Sequence, residues 1–331
     1  MSENSGSGPV IVCLGEALVD FIAMETAADM GRARTFIKAP GGAMANTAAG
    51  LARLGARARF VGKVGADPFG RFMRETLSAE GVDTRDFITT DQYATGIVFV
   101  ALDRERVPSY IFYGYPSADM MLREDEVGEG ALQDAAFLHL GTVSMVREES
   151  RAASFKLMRL AREQGVHISF DPNLRLHLWK DHGLLRDTAL KAAAMSGLCK
   201  LNAEELRFMT GAERPEAGAR RLREMGVEAV VVTLGPEGAY YLCGEGEGRP
   251  PGFKVGVVDT TGAGDGFAAG LLMALAEAGE WPPPAALLSR ATRFANAAGA
   301  LVTTSLGAMS SLPRRDQVNA FLAQREKGEM G

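Results

Sequence analysis

Cysteine is scarce in this chain of 331 residues, and the three present, Cys13, Cys199 and Cys243, are scattered and form no CxxC pair. That excludes a disulfide framework and suits reduced thiols serving as small core residues. Histidine is equally sparse: His139, His167, His177 and His182 show no HExxH or related ligand spacing, which argues against a zinc site. No GxxxxGK[ST] loop occurs, since Gly62-Lys63 is followed by Val64, and no GxGxxG follows the first apolar strand. A Walker loop and a dinucleotide fingerprint are therefore both missing. Basic runs are absent and the net charge is −5, the wrong sign for a non-specific nucleic-acid binder. No apolar run approaches the ~18 residues that span a bilayer. Residues 1–9 are polar and Gly/Ser-rich, without the basic and apolar regions of a signal peptide, and read as a flexible tail. A soluble, cytoplasmic protein with neither membrane nor nucleic-acid partner is expected.

What the chain does have is an alternation of strand and helix signals. Val10 to Leu14 is a short apolar run ending in Gly15, the signature of a buried strand. A helix follows from Gly42 to Gly55, a strand over Arg59–Val64, and a helix from Pro68 to Glu80. Further strands are expected at Phe137–Leu140, His167–Phe170, Gly197–Leu201 and Ala229–Thr233, with helices between them such as Arg151 to Gln164. That order predicts an α/β fold with a doubly wound, mostly parallel sheet flanked by helices. Thr95 to Tyr115 differs: it is rich in Val, Ile, Phe and Tyr and broken by the charged stretch Asp103 to Arg106, as a β-hairpin would be. Strands near 16–24 and 33–38 would pair with it. The expected organisation is one α/β body, with a small β-sheet lid built from 16–38 and 95–115. Gly244 to Gly252 reads as a surface hairpin or loop.

Three motifs carry chemistry. Asp259-Thr260-Thr261-Gly262-Ala263-Gly264-Asp265-Gly266 precedes the apolar helix Ala268 to Ala278, which Gly279 ends. Glycines at a helix start let backbone amides approach an anion, and the helix dipole adds positive charge there. The result suits a transferring phosphoryl group, with Asp265 in the first turn. Pro40-Gly41-Gly42-Ala43-Met44-Ala45-Asn46 sits at a loop-to-helix junction, and the Asn46 amide suits neighbouring sugar hydroxyls. Asp171-Pro172-Asn173-Leu174-Arg175 and the Asn202/Glu205 pair follow predicted strands, where open α/β sheets bind ligands.

These motifs, with Gly15-Glu16-Ala17-Leu18-Val19-Asp20, closely resemble the PfkB/ribokinase family of carbohydrate kinases over about residues 10 to 322, and within it fructokinases most. Pro116-Ser117-Ala118-Asp119-Met120 and Phe294-Ala295-Asn296-Ala297-Ala298-Gly299 add to the fructokinase likeness. The resemblance implies a ribokinase-like fold and an ATP- and Mg²⁺-dependent phosphotransfer to a sugar alcohol, fructose first. Other acceptors left open are 2-keto-3-deoxygluconate, ribose or a nucleoside, and a non-catalytic sugar-binding regulator is the reading from another class. It further implies that Asp20, Gly41, Gly42, Asn46 and Arg175 hold the sugar. Asp265 would be the base, with Gly262, Ala263 and Gly264 lining the anion hole. Lys200, Asn202, Thr233, Gly235, Gly238 and Asn296 would surround the nucleotide, and Glu205 would reach Mg²⁺ through water. Asp259, Thr261, Val302, Ser305, Gly307 and Ser311 match positions that hold K⁺ in ribokinases. A homodimer is implied as well. Gly114 stands where kinases of sugar acids often place an arginine, which favours a neutral sugar.

Overall fold

The apolar run Val10–Leu14 becomes β1, buried at all five positions and third from one edge of a nine-stranded sheet. The computed structural model describes residues 10–25, 30–102 and 108–329. The tail 1–9 and the hairpin turn Asp103–Arg106, with Arg104 and Arg106, lie outside the described residues.

After β1 the chain forms β2 (Leu18–Ala23), β3 (Phe36–Gly41), α1 (Ala43–Leu54), β4 (Arg57–Gly65), α2 (Pro68–Ala79) and β5 (Phe87–Thr90). The hairpin β6 (Ile97–Leu102) and β7 (Pro108–Tyr113) follows. Next come β8 (Ala135–Leu140), α3 (Glu148–Glu163), β9 (His167–Phe170), α4 (His182–Ala194) and β10 (Leu198–Asn202). α5 (Ala203–Thr210), α6 (Pro215–Glu224), β11 (Ala229–Thr233), β12 (Ala239–Cys243) and β13 (Gly246–Gly248) lead to the helical C-terminal part. There α7 (Ala263–Ala278), α8 (Ala285–Val302), the single turn α9 (Ala308–Ser311) and α10 (Arg315–Glu329) complete the fold.

The large sheet has the order β13-β12-β11-β10-β9-β8-β1-β4-β5. Strands from β11 to β5 are parallel, while β12 and β13 are antiparallel and form a hairpin whose turn and second strand fall within Gly244 to Gly252. Alternation along β1 sends Ile11 and Cys13 into one core with α1, α7 and α8, and Val10, Val12 and Leu14 into another with α3, α4 and α6. Burial on both faces explains why the strands read as continuous apolar runs. The three cysteines are free and buried within these cores.

A second sheet, β3-β2-β6-β7, stands beside the first. β2 pairs antiparallel with β3 and parallel with β6, and β6 pairs antiparallel with β7. Directly paired residues share a face, so Leu18, Asp20, Val98, Tyr110 and Phe112 form one side of this sheet. That side closes over the carboxyl ends of the parallel strands.

The helix after the glycine-rich loop begins at Ala263, earlier than the apolar run suggested. Gly262 is its N-cap, in the left-handed region at φ 80°, and a Cβ there would lie 2.6 Å from Ala308 Cβ. Gly264 and Gly266 therefore fall inside the first turn, which puts Asp265 there too.

Candidate active site

A cavity of about 400 Å³ opens where the parallel strands end beneath the small sheet. Its wall is drawn from the carboxyl ends of β1, β8, β9, β10 and β11, from the starts of α1 and α7, and from the inner face of the lid sheet. This is the crevice at which open α/β sheets bind ligands.

Of the residues that the sequence pointed to, Asp20, Gly42, Asn46, Arg175, Lys200, Asn202, Glu205, Thr233, Gly235, Thr261, Gly262, Gly264 and Asp265 line this one cavity. They come from six separate stretches of chain. Asn46, one turn into α1, donates through Nδ2 to Asp265 Oδ2 at 2.8 Å. Asp20 packs against Gly41, where an added Cβ would lie 2.4 Å from Asp20 Oδ2. Gly41 thus makes room for the carboxylate without lining the cavity. Arg175 lies with its guanidinium 5.8 Å from the Tyr110 ring centroid and donates to the Leu174 carbonyl.

At the other end, Lys200 Nζ donates to Asp171 Oδ2 at 2.7 Å, and both side chains are almost wholly buried. The same ammonium lies 3.2 Å from where a Cβ on Gly264 would be, so a side chain there would crowd it at the start of α7. A buried cation and a run of helix N-terminal amides therefore converge on one point, a strong anion site. Glu205 is fixed by two backbone donors, Leu174 N on Oε1 and Asn202 N on Oε2, each at 2.9 Å. With Asn202 Oδ1 accepting from Glu205 N, this is a capping box at the start of α5.

Burial dominates the electrostatics. It pushes the Asp265 carboxyl up to about 6, with the Asn46 hydrogen bond and Lys200 acting in the opposite direction. Asp20 is pushed up to about 7, by burial first and by the Asp265 charge second. Glu16, whose Oε1 accepts from Ala43 N at 2.8 Å at the start of α1, is also raised to about 7 by burial. Burial opposes the Lys200 ammonium, but Asp171 and Glu205 outweigh it and hold its pKa above the ordinary value. The site thus pairs a cation near the start of α7 with carboxylates poised near neutrality.

Other expected residues lie off the cavity. Asn296 spends its amide on the carbonyls of Pro250 and Pro251, at 3.1 and 3.0 Å. Gly238 lets the same segment approach, since a Cβ there would lie 2.3 Å from the Pro250 carbonyl oxygen. Both therefore hold the loop after β13. Ala263 is the first residue of α7 and accepts no role through its side chain. Asp259 joins two loops: Oδ1 accepts from Thr261 N and Oγ1, and Oδ2 from Gly307 N at 2.9 Å. Val302 packs at Gly266, while Ser305 and Ser311 line a separate cavity of about 360 Å³, with the Ser311 hydroxyl on the Leu306 carbonyl. Conversely, Glu16, Val98, Tyr110, Phe112 and Val143 line the main cavity without having been singled out for it. The hairpin strands are apolar on both faces, so their sequence does not show which face meets the body.

Residues 9–315 match the model of the pfkB family carbohydrate kinases. The chain is 36% identical to probable fructokinase-7 of Arabidopsis thaliana, over 97% of this chain and 94% of that protein. The crystal structure of fructokinase from Vibrio cholerae O395, bound to fructose, ADP and a calcium ion, superposes with a TM-score of 0.86 at 35% identity, covering 95% of this chain and 99% of that one. A double mutant of that enzyme with fructose, ADP and a potassium ion also gives 0.86 at 35% identity, over 96% and 99% of the two chains. With a family match along nearly the whole chain, and with the doubly wound sheet and its lid in place, the protein belongs to the pfkB family of carbohydrate kinases.

Proposed function

We propose that this protein phosphorylates fructose with ATP, giving fructose 6-phosphate and ADP. The observation that supports it best is the meeting of Asp265, Asn46 and Lys200 at the start of α7. Asp265 is the base for the primary hydroxyl of the sugar, placed within one helical turn of the amides that would face the transferring phosphoryl group. Asp20, Asn46 and Arg175 offer acceptors and donors to the remaining hydroxyls, with the backbone of Gly42 allowing close approach. Lys200, Asn202, Thr233 and Gly235 border the nucleotide end, and the lid sheet excludes water from the reacting groups. Fructokinases among the relatives, one of them with fructose and ADP bound, favour the same acceptor.

Among the described residues no group of three or more His, Cys, Asp or Glu side chains is placed to hold a metal. That fits Mg²⁺ carried on the nucleotide phosphates, with Glu205 reaching it through water. Bound there, the ion would neutralise phosphate charge. A monovalent cation such as K⁺ fits the paired loops that Asp259 ties together, at the carbonyls around Thr261, Val302, Ser305, Gly307 and Ser311. A homodimer is proposed from the outer face of the lid, where Ile111 is 42% and Tyr113 58% exposed beside Phe99. A sedimentation run showing only monomer at micromolar concentration would remove that idea.

The test of the activity is an ADP-release assay with ATP and Mg²⁺ over fructose, ribose, glucose, 2-keto-3-deoxygluconate and adenosine. Fructose should exceed every other acceptor in kcat/KM by at least about ten-fold. A different best acceptor would refute fructose, and silence on all of them with ATP bound would refute the kinase.

A further inference from the structure

The lid meets the body where β4 ends, and the junction is built around one carboxylate outside the cavity. Asp67 caps α2, its Oδ1 accepting from Phe69 N at 2.9 Å and Gly70 N at 2.8 Å. Capping a helix needs no more than that. Yet the same carboxylate also reaches across to Thr95, two residues before β6. Oδ1 accepts from Thr95 Oγ1 at 2.9 Å, and Oδ2 accepts from Thr95 N at 2.8 Å. The Thr95 hydroxyl in turn accepts from Gly65 N, the last residue of β4, at 3.0 Å. Thr95 is 2% exposed, so its hydroxyl and amide are shielded from solvent, while the Asp67 carboxylate is partly exposed.

The surrounding backbone is cleared for this contact. A Cβ on Gly65 would lie 2.3 Å from Asp67 Oδ2 and 2.7 Å from Thr95 N. One step beyond Thr95, the Gly96 carbonyl accepts from Val19 N at 2.9 Å. Val19 is in β2 immediately before Asp20, which pairs with Val98 in the register that puts both over the cavity. Hydrogen bonds joined by covalent backbone thus link the end of β4 to Val19, the residue before Asp20.

We infer that Asp67 and Thr95 are a positioning pair, which fixes the root of β6 and, through Gly96 and Val19, the place of Asp20 over the acceptor sugar. The inference rests on the kinase reading given above. Neither residue lines the cavity, so their effect reaches the substrate only through the lid. The nucleotide end is built on β10 and β11 and does not share this path. Loss of the pair should therefore be felt by the sugar and not by ATP.

Thr95→Val removes only the hydroxyl, leaving the amide bond to Asp67 and the cap of α2 in place. The expected result is a rise of roughly five- to twenty-fold in KM for the acceptor sugar, with KM for ATP changed less than about two-fold. Thr95→Ser, which restores the hydroxyl, should return the sugar KM to about the wild-type value. Asp67→Asn turns one acceptor oxygen into a donor facing Thr95 N and should reproduce the sugar-selective defect. Equal shifts in both KM values, no shift in either, or failure of Thr95→Ser to rescue would overturn the inference. The variants are assayed with whichever acceptor the wild type uses best. An error about fructose would thus appear in the wild type alone, and an error about the pair only in the variants.

Discussion

Asn46 Nδ2 donates to Asp265 Oδ2 at 2.8 Å, joining the first turns of α1 and α7 across 219 residues of sequence. The bond holds the carboxylate in one orientation, turned toward the glycine-rich start of α7. An aspartate in that place can take a proton from a hydroxyl while the adjacent amides and Lys200 meet the phosphoryl group. Asp265→Asn keeps the shape and loses the proposed base. Turnover should fall by at least about 10², with sugar affinity within a few fold of wild type. Near-normal turnover in that variant would show that another group is the base.

The same hydrogen bond sets a pH limit. Burial raises the Asp265 pKa to about 6, and the Asn46 amide pulls against burial by stabilising the charged form. A base must be ionised, so kcat/KM should decline on the acid side with an inflection near that value. Asn46→Ala leaves the burial and deletes the donor. Its acid limb should move to higher pH, in addition to any loss of sugar affinity. An acid limb that stays in place, or moves down, would mean that the bond does not tune the base.

Much of this arrangement is legible in the chain, because it depends on local signals. Strand runs, helix-stopping glycines and the position of Asp265 after Gly262 and Gly264 all follow from short stretches of sequence. What escapes is the direction in which a polar group points. Asn296 and Gly238 are residue types equally suited to binding a nucleotide or to holding a loop, and the fold uses them for the Pro250–Pro251 loop. Ser305 and Ser311 line a cavity beside the main one, which their place in the chain does not reveal. Glu16 reads as a polar residue after a strand. Only the packing of α1 on β1 reveals it as the acceptor for Ala43 N. Each of these is decided by contacts between distant segments, which local pattern does not encode.

Lys200 and Asp171 offer a test that separates stability from catalysis. Their bond at 2.7 Å is almost fully buried, so removing one partner strands the other charge. Asp171→Leu should cost about 3–5 kcal/mol of stability. Adding Lys200→Met to it removes the stranded ammonium and should restore much of that loss. Activity should not return with stability, because the cation facing Gly264 is gone. The comparison needs melting curves and ATP KM values for the two single variants and the double. Recovery of activity in the double variant would place Lys200 outside the phosphate site.

Asp20 carries the opposite relation between function and stability. Burial and the neighbouring Asp265 raise its folded pKa to about 7, from an ordinary value of 3.8. The folded state therefore favours the protonated form more than the unfolded chain does. Its contribution to stability is present in full below pH 3.8 and disappears as pH rises through about 7. Asp20→Asn abolishes this dependence while keeping nearly the same volume. The variant should melt a few degrees above wild type at pH 8, with the gap closing as pH falls toward 4. Sugar KM should rise in the same variant, because an acceptor for hydroxyl protons has been replaced by an amide. A gap in melting temperature that is constant from pH 4 to 8 would mean that Asp20 titrates alike in the folded and unfolded chains.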